Sequence, residues 1–119
     1  MKILIIEPDK APRRAEIDGS LTAMQGIVGG LIQAISPFDA DPTIALICHD
    51  EGKLMGLPLN RVLRDKDGRI YDVICGTFFL CAAPPDSDCF AGLSDEQLER
   101  YADFYRYPEF GGGLRKVPR

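Results

Sequence analysis

The stretch RIYDVICGTFFLCA, Arg69–Ala82, is the longest β-favouring run in the chain, and its reading decides the fold. Ile70, Ile74, Phe78 and Leu80 alternate along it with Tyr71, Val73, Cys75, Phe79 and Cys81. Successive strand residues face opposite sides, so a run apolar on both faces predicts a strand covered above and below. Gly76 interrupts it midway, where glycine marks a bulge or a bend. Asp65-Lys66-Asp67-Gly68 is a turn that leads into the run, and Pro84-Pro85-Asp86-Ser87-Asp88 closes it.

Reading back toward the N-terminus, Thr43–Cys48 predicts a second interior strand, with Ile44, Leu46 and Cys48 on one face and Ala45 and Ile47 on the other. Lys2–Glu7 and Arg13–Asp18 form a hairpin across a Pro8-Asp9-Lys10-Ala11-Pro12 loop. Leu31–Ile35 is a further short strand. Leu21, Met24, Ile27 and Val28 recur at helical spacing between Ser20 as cap and Gly29-Gly30 as stop. Gly26 inside that helix suggests close packing against a neighbouring strand. Leu54–Leu63 is open between a short helix led by Pro58 and an extended loop.

Forward of the decisive run, Ser94 and Gln97 make a capping box and Leu93 staples onto Leu98. Leu98, Tyr101, Ala102 and Tyr105 form the apolar stripe of this helix, and Pro108 stops it. The order is roughly β-β-α-β-β-β-α, which predicts an α+β fold with a mainly antiparallel sheet of about five strands and two helices. Residues 1–108 read as a single α+β domain and 109–119 as a flexible, Gly-rich basic tail.

The chain has 119 residues, 45% hydrophobic and 27% charged, which excludes collagen, coiled coil and wholesale disorder. Its net charge of −4 argues against a general binder of nucleic acid, which carries a basic excess. The opening apolar run meets Glu7-Pro8-Asp9 too early for a signal peptide, and no stretch reaches the ~18 apolar residues of a membrane span. The expected location is cytoplasmic, without membrane association. Cys48, Cys75, Cys81 and Cys89 contain no Cys-x-x-Cys spacing and read as structural, mostly buried residues. His49-Asp50-Glu51 reads as exposed turn chemistry, and no metal or cofactor is expected.

Gly52–Arg61 is the most unusual segment, mixing two glycines, a proline, an amide and a guanidinium. Asn60 and Arg61 offer a planar amide and a fork of donors to a carboxylate, phosphate or base; the alternative is a turn cap and a local bridge. Lys53, Arg61, Arg64, Lys66 and Arg69 make this part of an acidic chain locally basic.

With these residues in view the chain resembles a bacterial and phage family designated domain of unknown function 3846. The features that carry the resemblance include the Gly56-Leu57-Pro58-Leu59-Asn60-Arg61 element, Tyr71-Asp72-Val73-Ile74 and Gly76-Thr77-Phe78-Phe79. The resemblance implies a small accessory protein of bacterial, phage or mobile-element origin and brings no catalytic residue with it.

The leading expectation is therefore a non-catalytic binding module, leaning away from an enzyme. Its candidate binding residues are Lys53, Asn60, Arg61, Arg64, Tyr71 and Asp72, and its partner is an unidentified protein or small molecule. Two alternatives stand beside it: a small-ligand or nucleotide binder built on the Gly56–Arg61 loop, and a nucleic-acid binder or mimic. A homodimer burying part of the 70–82 sheet is also expected as an option.

Overall fold

The computed structural model describes residues 1–110. They form β1 (Lys2–Ile6), β2 (Arg13–Glu16), α1 (Leu21–Val28), β3 (Ile32–Ile35), β4 (Ile44–His49), β5 (Leu59–Arg64), β6 (Ile70–Cys75), β7 (Phe78–Ala82) and α2 (Asp95–Phe104). One sheet has five strands in the order β2-β1-β7-β4-β3, all antiparallel, and β5 and β6 make a separate two-stranded ribbon. The α+β class stands, with seven strands rather than about five among the described residues.

The two additional strands have one physical origin, Gly76. Its φ of +86° lies in the left-handed region, which glycine enters without steric cost. Its N–H donates to the Pro58 carbonyl at 2.7 Å, and a Cβ built there would stand 2.8 Å from Leu57 Cδ1. The chain turns at this point, so the 69–82 run is two strands in two different sheets. The first half needs a partner of its own, and Leu59–Arg64 supplies it as β5, in the stretch that local signals left between helix and loop.

The three inner strands of the five-stranded sheet, β1, β7 and β4, are buried on both faces, which is why they read as continuous apolar runs, whereas the edge strands β2 and β3 are largely exposed. Ile3, Ile5, Ala45, Ile47, Phe79 and Cys81 meet Met24 and Val28 of α1 on one side. Leu4, Ile6, Ile44, Leu46, Phe78 and Leu80 meet Leu98, Tyr101 and Tyr105 of the α2 region, with Leu63 and Ile74 of the ribbon, on the other. β7 lies at the centre, between β1 and β4.

Both helices begin and end as their caps dictate. The Ser20 side chain accepts from the Ala23 N–H, and Gly29 ends α1 in the left-handed conformation. The Ser94–Gln97 capping box is present in both directions, and Leu93 and Leu98 share one cluster. The reading of Gly26 as a close-packing site is corrected, because nothing lies within 4 Å of a Cβ built there.

His49 is likewise not an exposed turn residue. It ends β4 at 8% exposure, accepts from the Glu51 N–H through Nδ1, and leaves no room for a side chain on Gly30. All four cysteines are free; Cys48, Cys75 and Cys81 are buried and Cys89 is exposed. Burial pushes the Cys81 thiol up to about 12. Among the described residues no helix is long and apolar enough to cross a membrane. Of the stretch read as a tail, 111–119 lies outside the described residues.

Candidate functional site

Asn60 and Arg61 are held inside the protein. The β5–β6 register slips between Leu59 and Arg61, so Asn60 is an extra residue on β5. Its amide turns inward, and Nδ2 donates to the carbonyls of Ile6 at 2.9 Å and Gly76 at 2.8 Å. Its Oδ1 accepts from Arg61 Nη1 at 2.9 Å. Asn60 therefore fixes the ribbon to β1 and to the glycine turn.

Arg61 extends this network. Nη1 also donates to the Asn60 carbonyl at 3.3 Å, and Nη2 donates to the carbonyls of Lys10 at 2.7 Å and Tyr105 at 2.9 Å. Tyr105 caps the C-terminus of α2, where the helix dipole favours a cation. Arg61 is only 1% exposed, and burial lowers its pKa, while the Glu109 charge and Tyr105 oppose that shift. Nε has no partner. One guanidinium thus clamps the β1–β2 loop, β5 and the end of α2 together.

Beside this clamp a groove of about 870 Å³ runs along β5. Val62, Arg64 and Lys66 line it from the ribbon and its turn, and Phe38, Phe104 and Tyr107 line it from the opposite elements. Phe38 stacks on Tyr101 with centroids 4.8 Å apart and meets Phe104 edge-on at 5.2 Å. Tyr71 reaches the same groove from β6. Three of these rings stay open to solvent, at 55% for Tyr71, 60% for Phe104 and 47% for Tyr107. Glu109 crosses the space, accepting from the Val62 N–H at 3.1 Å through Oε1 and from Arg64 Nη2 at 3.3 Å through Oε2.

A second hollow of about 330 Å³ involves β4, β6 and the Asp50–Leu54 turn. Lys53 forms an ion pair there with Asp72, which also accepts from the Val73 N–H at 2.8 Å. The Lys53 hydrogen bond is the main reason that the Asp72 carboxyl sits below its usual range. Cys48 lies in this hollow, and burial, aided by the nearby Asp50 and Asp72 charges, pushes its thiol up to about 11.

The six candidates therefore separate. Arg61, Arg64 and Tyr71 border the groove, Lys53 and Asp72 meet in the second hollow, and Asn60 lines neither. The basic 53–69 segment is not one patch in space, because Arg61 is interior and Lys53 and Arg64 answer carboxylates in different places. Sequence reasoning missed Phe38, Phe104, Tyr107 and Glu109. Phe104 carried a usable signal, since it is a large aromatic off the Leu98–Tyr101–Tyr105 stripe of its own helix. Glu109 carried none, as its partners are 47 and 45 residues away.

The chain belongs to the family described as Domain of unknown function (DUF3846), whose model matches residues 1–106. The match covers every strand and both helices. Neither the comparison with curated proteins nor that with solved structures found a match.

Proposed function

We propose that this protein is a non-catalytic binding module, an accessory protein of bacterial, phage or mobile-element origin that acts by contact, with the groove along β5 as its contact surface. One observation carries the reading: Tyr71, Phe104 and Tyr107, each about half exposed, line one concave surface together with Arg64 and Lys66. Fully burying one large apolar side chain contributes about 1.5–3 kcal/mol, and aromatic and arginine residues dominate the energetics of protein interfaces. The polar groups of the groove support contact rather than turnover. Arg61 is bound to backbone carbonyls, and Arg64 and Glu109 answer each other.

Photo-crosslinking in the source cell tests this reading. Benzoylphenylalanine placed at Phe104 should give one dominant adduct, and the same probe at Leu21, exposed on the opposite helix, should not. Arg64→Glu should abolish that adduct while leaving the thermal midpoint in place. Equal labelling from both positions would refute the groove as the contact surface.

A further inference from the structure

We infer that the groove receives an extended segment of a partner protein by strand addition to the outer edge of β5, and that the Glu109 carboxylate is a built-in plug on that edge. The inference rests on the groove being the contact surface and adds to it the class of partner and its control.

Val62 and Val73 are directly opposed in the β5–β6 ribbon. In antiparallel pairs, opposed residues alternate between exchanging hydrogen bonds and pointing their N–H groups outward. Val62 and Val73 are an outward pair, since the N–H of each goes to a carboxylate, Glu109 Oε1 and Asp72 Oδ1 respectively. Among the described residues neither strand has a second strand neighbour, so both ribbon edges are open to pairing at this level.

The two caps differ in kind. Asp72 is adjacent to the group it covers, and Lys53 holds it there. Glu109 arrives from beyond α2, 47 residues from Val62, and can leave without disturbing the ribbon's own bonds. Its ion pair with Arg64 is partly solvated, with the two side chains 20% and 43% exposed, and such pairs hold weakly. The β6 edge is thus sealed locally, whereas the β5 edge is covered by a detachable group.

The plug also describes what replaces it. An incoming strand presents a backbone carbonyl to the Val62 N–H, as strand-adding ligands do. Arg64, released from Glu109 but still donating to the Gly68 carbonyl at 3.4 Å, is free to take another carboxylate, and Lys66 beside it adds a second cation to the groove. Phe104 and Tyr107 offer apolar surface to side chains on either side of that acid. The occupant is therefore an extended peptide segment with an acidic residue flanked by apolar or aromatic ones.

The test uses the full chain, its Glu109→Ala and Glu109→Gln variants, and a display library of random short peptides as the probe. Selection on Glu109→Ala should enrich peptides with an acid at a fixed position between apolar residues. Those peptides should bind the wild type about tenfold more weakly, the equivalent of one charge-assisted hydrogen bond to be displaced. Glu109→Gln should fall between the two, and binding should shift the Val62 amide resonance while Asp72 and Val73 stay put.

Enrichment no greater than on an Arg64→Glu, Phe104→Ala double variant overturns the proposal, as does peptide binding that leaves Val62 unmoved. If the Phe104 crosslink forms while these signals fail, the contact surface survives and strand addition does not. Dimerisation of Glu109→Ala, or a gain in affinity on deleting 111–119 rather than on changing Glu109, would assign the edge to a second copy or to the chain itself, and either result overturns the partner assignment.

Discussion

Replacing Arg61 by Met keeps the length of an apolar stem and removes the guanidinium that joins three parts of the fold. Four hydrogen bonds disappear, to the Asn60 carbonyl, Asn60 Oδ1, the Lys10 carbonyl and the Tyr105 carbonyl. The bond to the Asn60 carbonyl, at 3.3 Å, is the longest of them and contributes least. The other three acceptors are left without this donor in or near the interior, at about 1–2 kcal/mol each. Against that stands the relief of no longer burying a charge, which offsets a part of the loss. A net loss of about 3 kcal/mol is expected, within the range for breaking a buried polar network. For a chain of this length, with an unfolding entropy of about 2.1 cal/mol/K per residue, that lowers the thermal midpoint by about 12 °C.

Lys at the same position keeps the charge but has one ammonium in place of the fork, and it cannot serve both Lys10 and Tyr105. Its cost should be about half as large. Denaturant titration with amide exchange is the assay. Exchange should accelerate both at the β1–β2 loop and at the last turn of α2, which are far apart in sequence and meet through Arg61. A loss below about 0.5 kcal/mol for Arg61→Met, the range of an ordinary surface change, would refute the clamp.

Other consequences are smaller. Gly26→Ala should stabilise the protein by about 0.5–1 kcal/mol, because the position is helical and open, with nothing for the added methyl to strike; a lower thermal midpoint would contradict this. The Asp72 carboxyl is held low in the folded chain, so the stability it contributes is complete above its unfolded pKa of about 3.9 and is lost as pH falls through the lower folded value. The protection factor of the Val73 amide, its exchange rate relative to an unstructured chain at the same pH, should therefore fall on acidification in the wild type, and Asp72→Asn should flatten that dependence.

What was legible in the sequence follows from how local each signal is. The capping box at Ser94 involves residues three positions apart, and the alternation in Ile44–His49 depends only on the two faces of one strand being covered. Both could be read directly. The identity of Leu59–Arg64 could not, because the segment is a strand only by pairing with β6, and β6 is free to pair only because Gly76 turns the chain.

The same limit applies at the site. Asn60 and Arg61 stood out because an amide and a guanidinium are unusual between apolar strands, and they are unusual because they are buried. Whether such groups face a ligand or their own chain depends on the carbonyls of Ile6, Lys10 and Tyr105, which no local pattern brings near. Tyr71 reads in the sequence as part of a strand apolar on both faces and as a candidate binding residue; its ring is 55% exposed and lines the groove. The rings opposite it come from α2 and from the loop before β4, and only the packed structure assembles them.

The position of β7 has a consequence for how the molecule is made. Leu80 sits opposite Leu4 of β1 and opposite Leu46 of β4, so the centre of the sheet is its last strand to leave the ribosome. The hairpins β1–β2 and β3–β4 form from nearby residues and can close early, but nothing joins them until Phe78–Ala82 is available. Loop-closure entropy must be overcome before that pairing stabilises anything, which makes the step slow relative to hairpin formation. During synthesis the nascent chain therefore carries two half-sheets with facing apolar edges, and its interval of greatest exposure to aggregation ends when β7 is inserted.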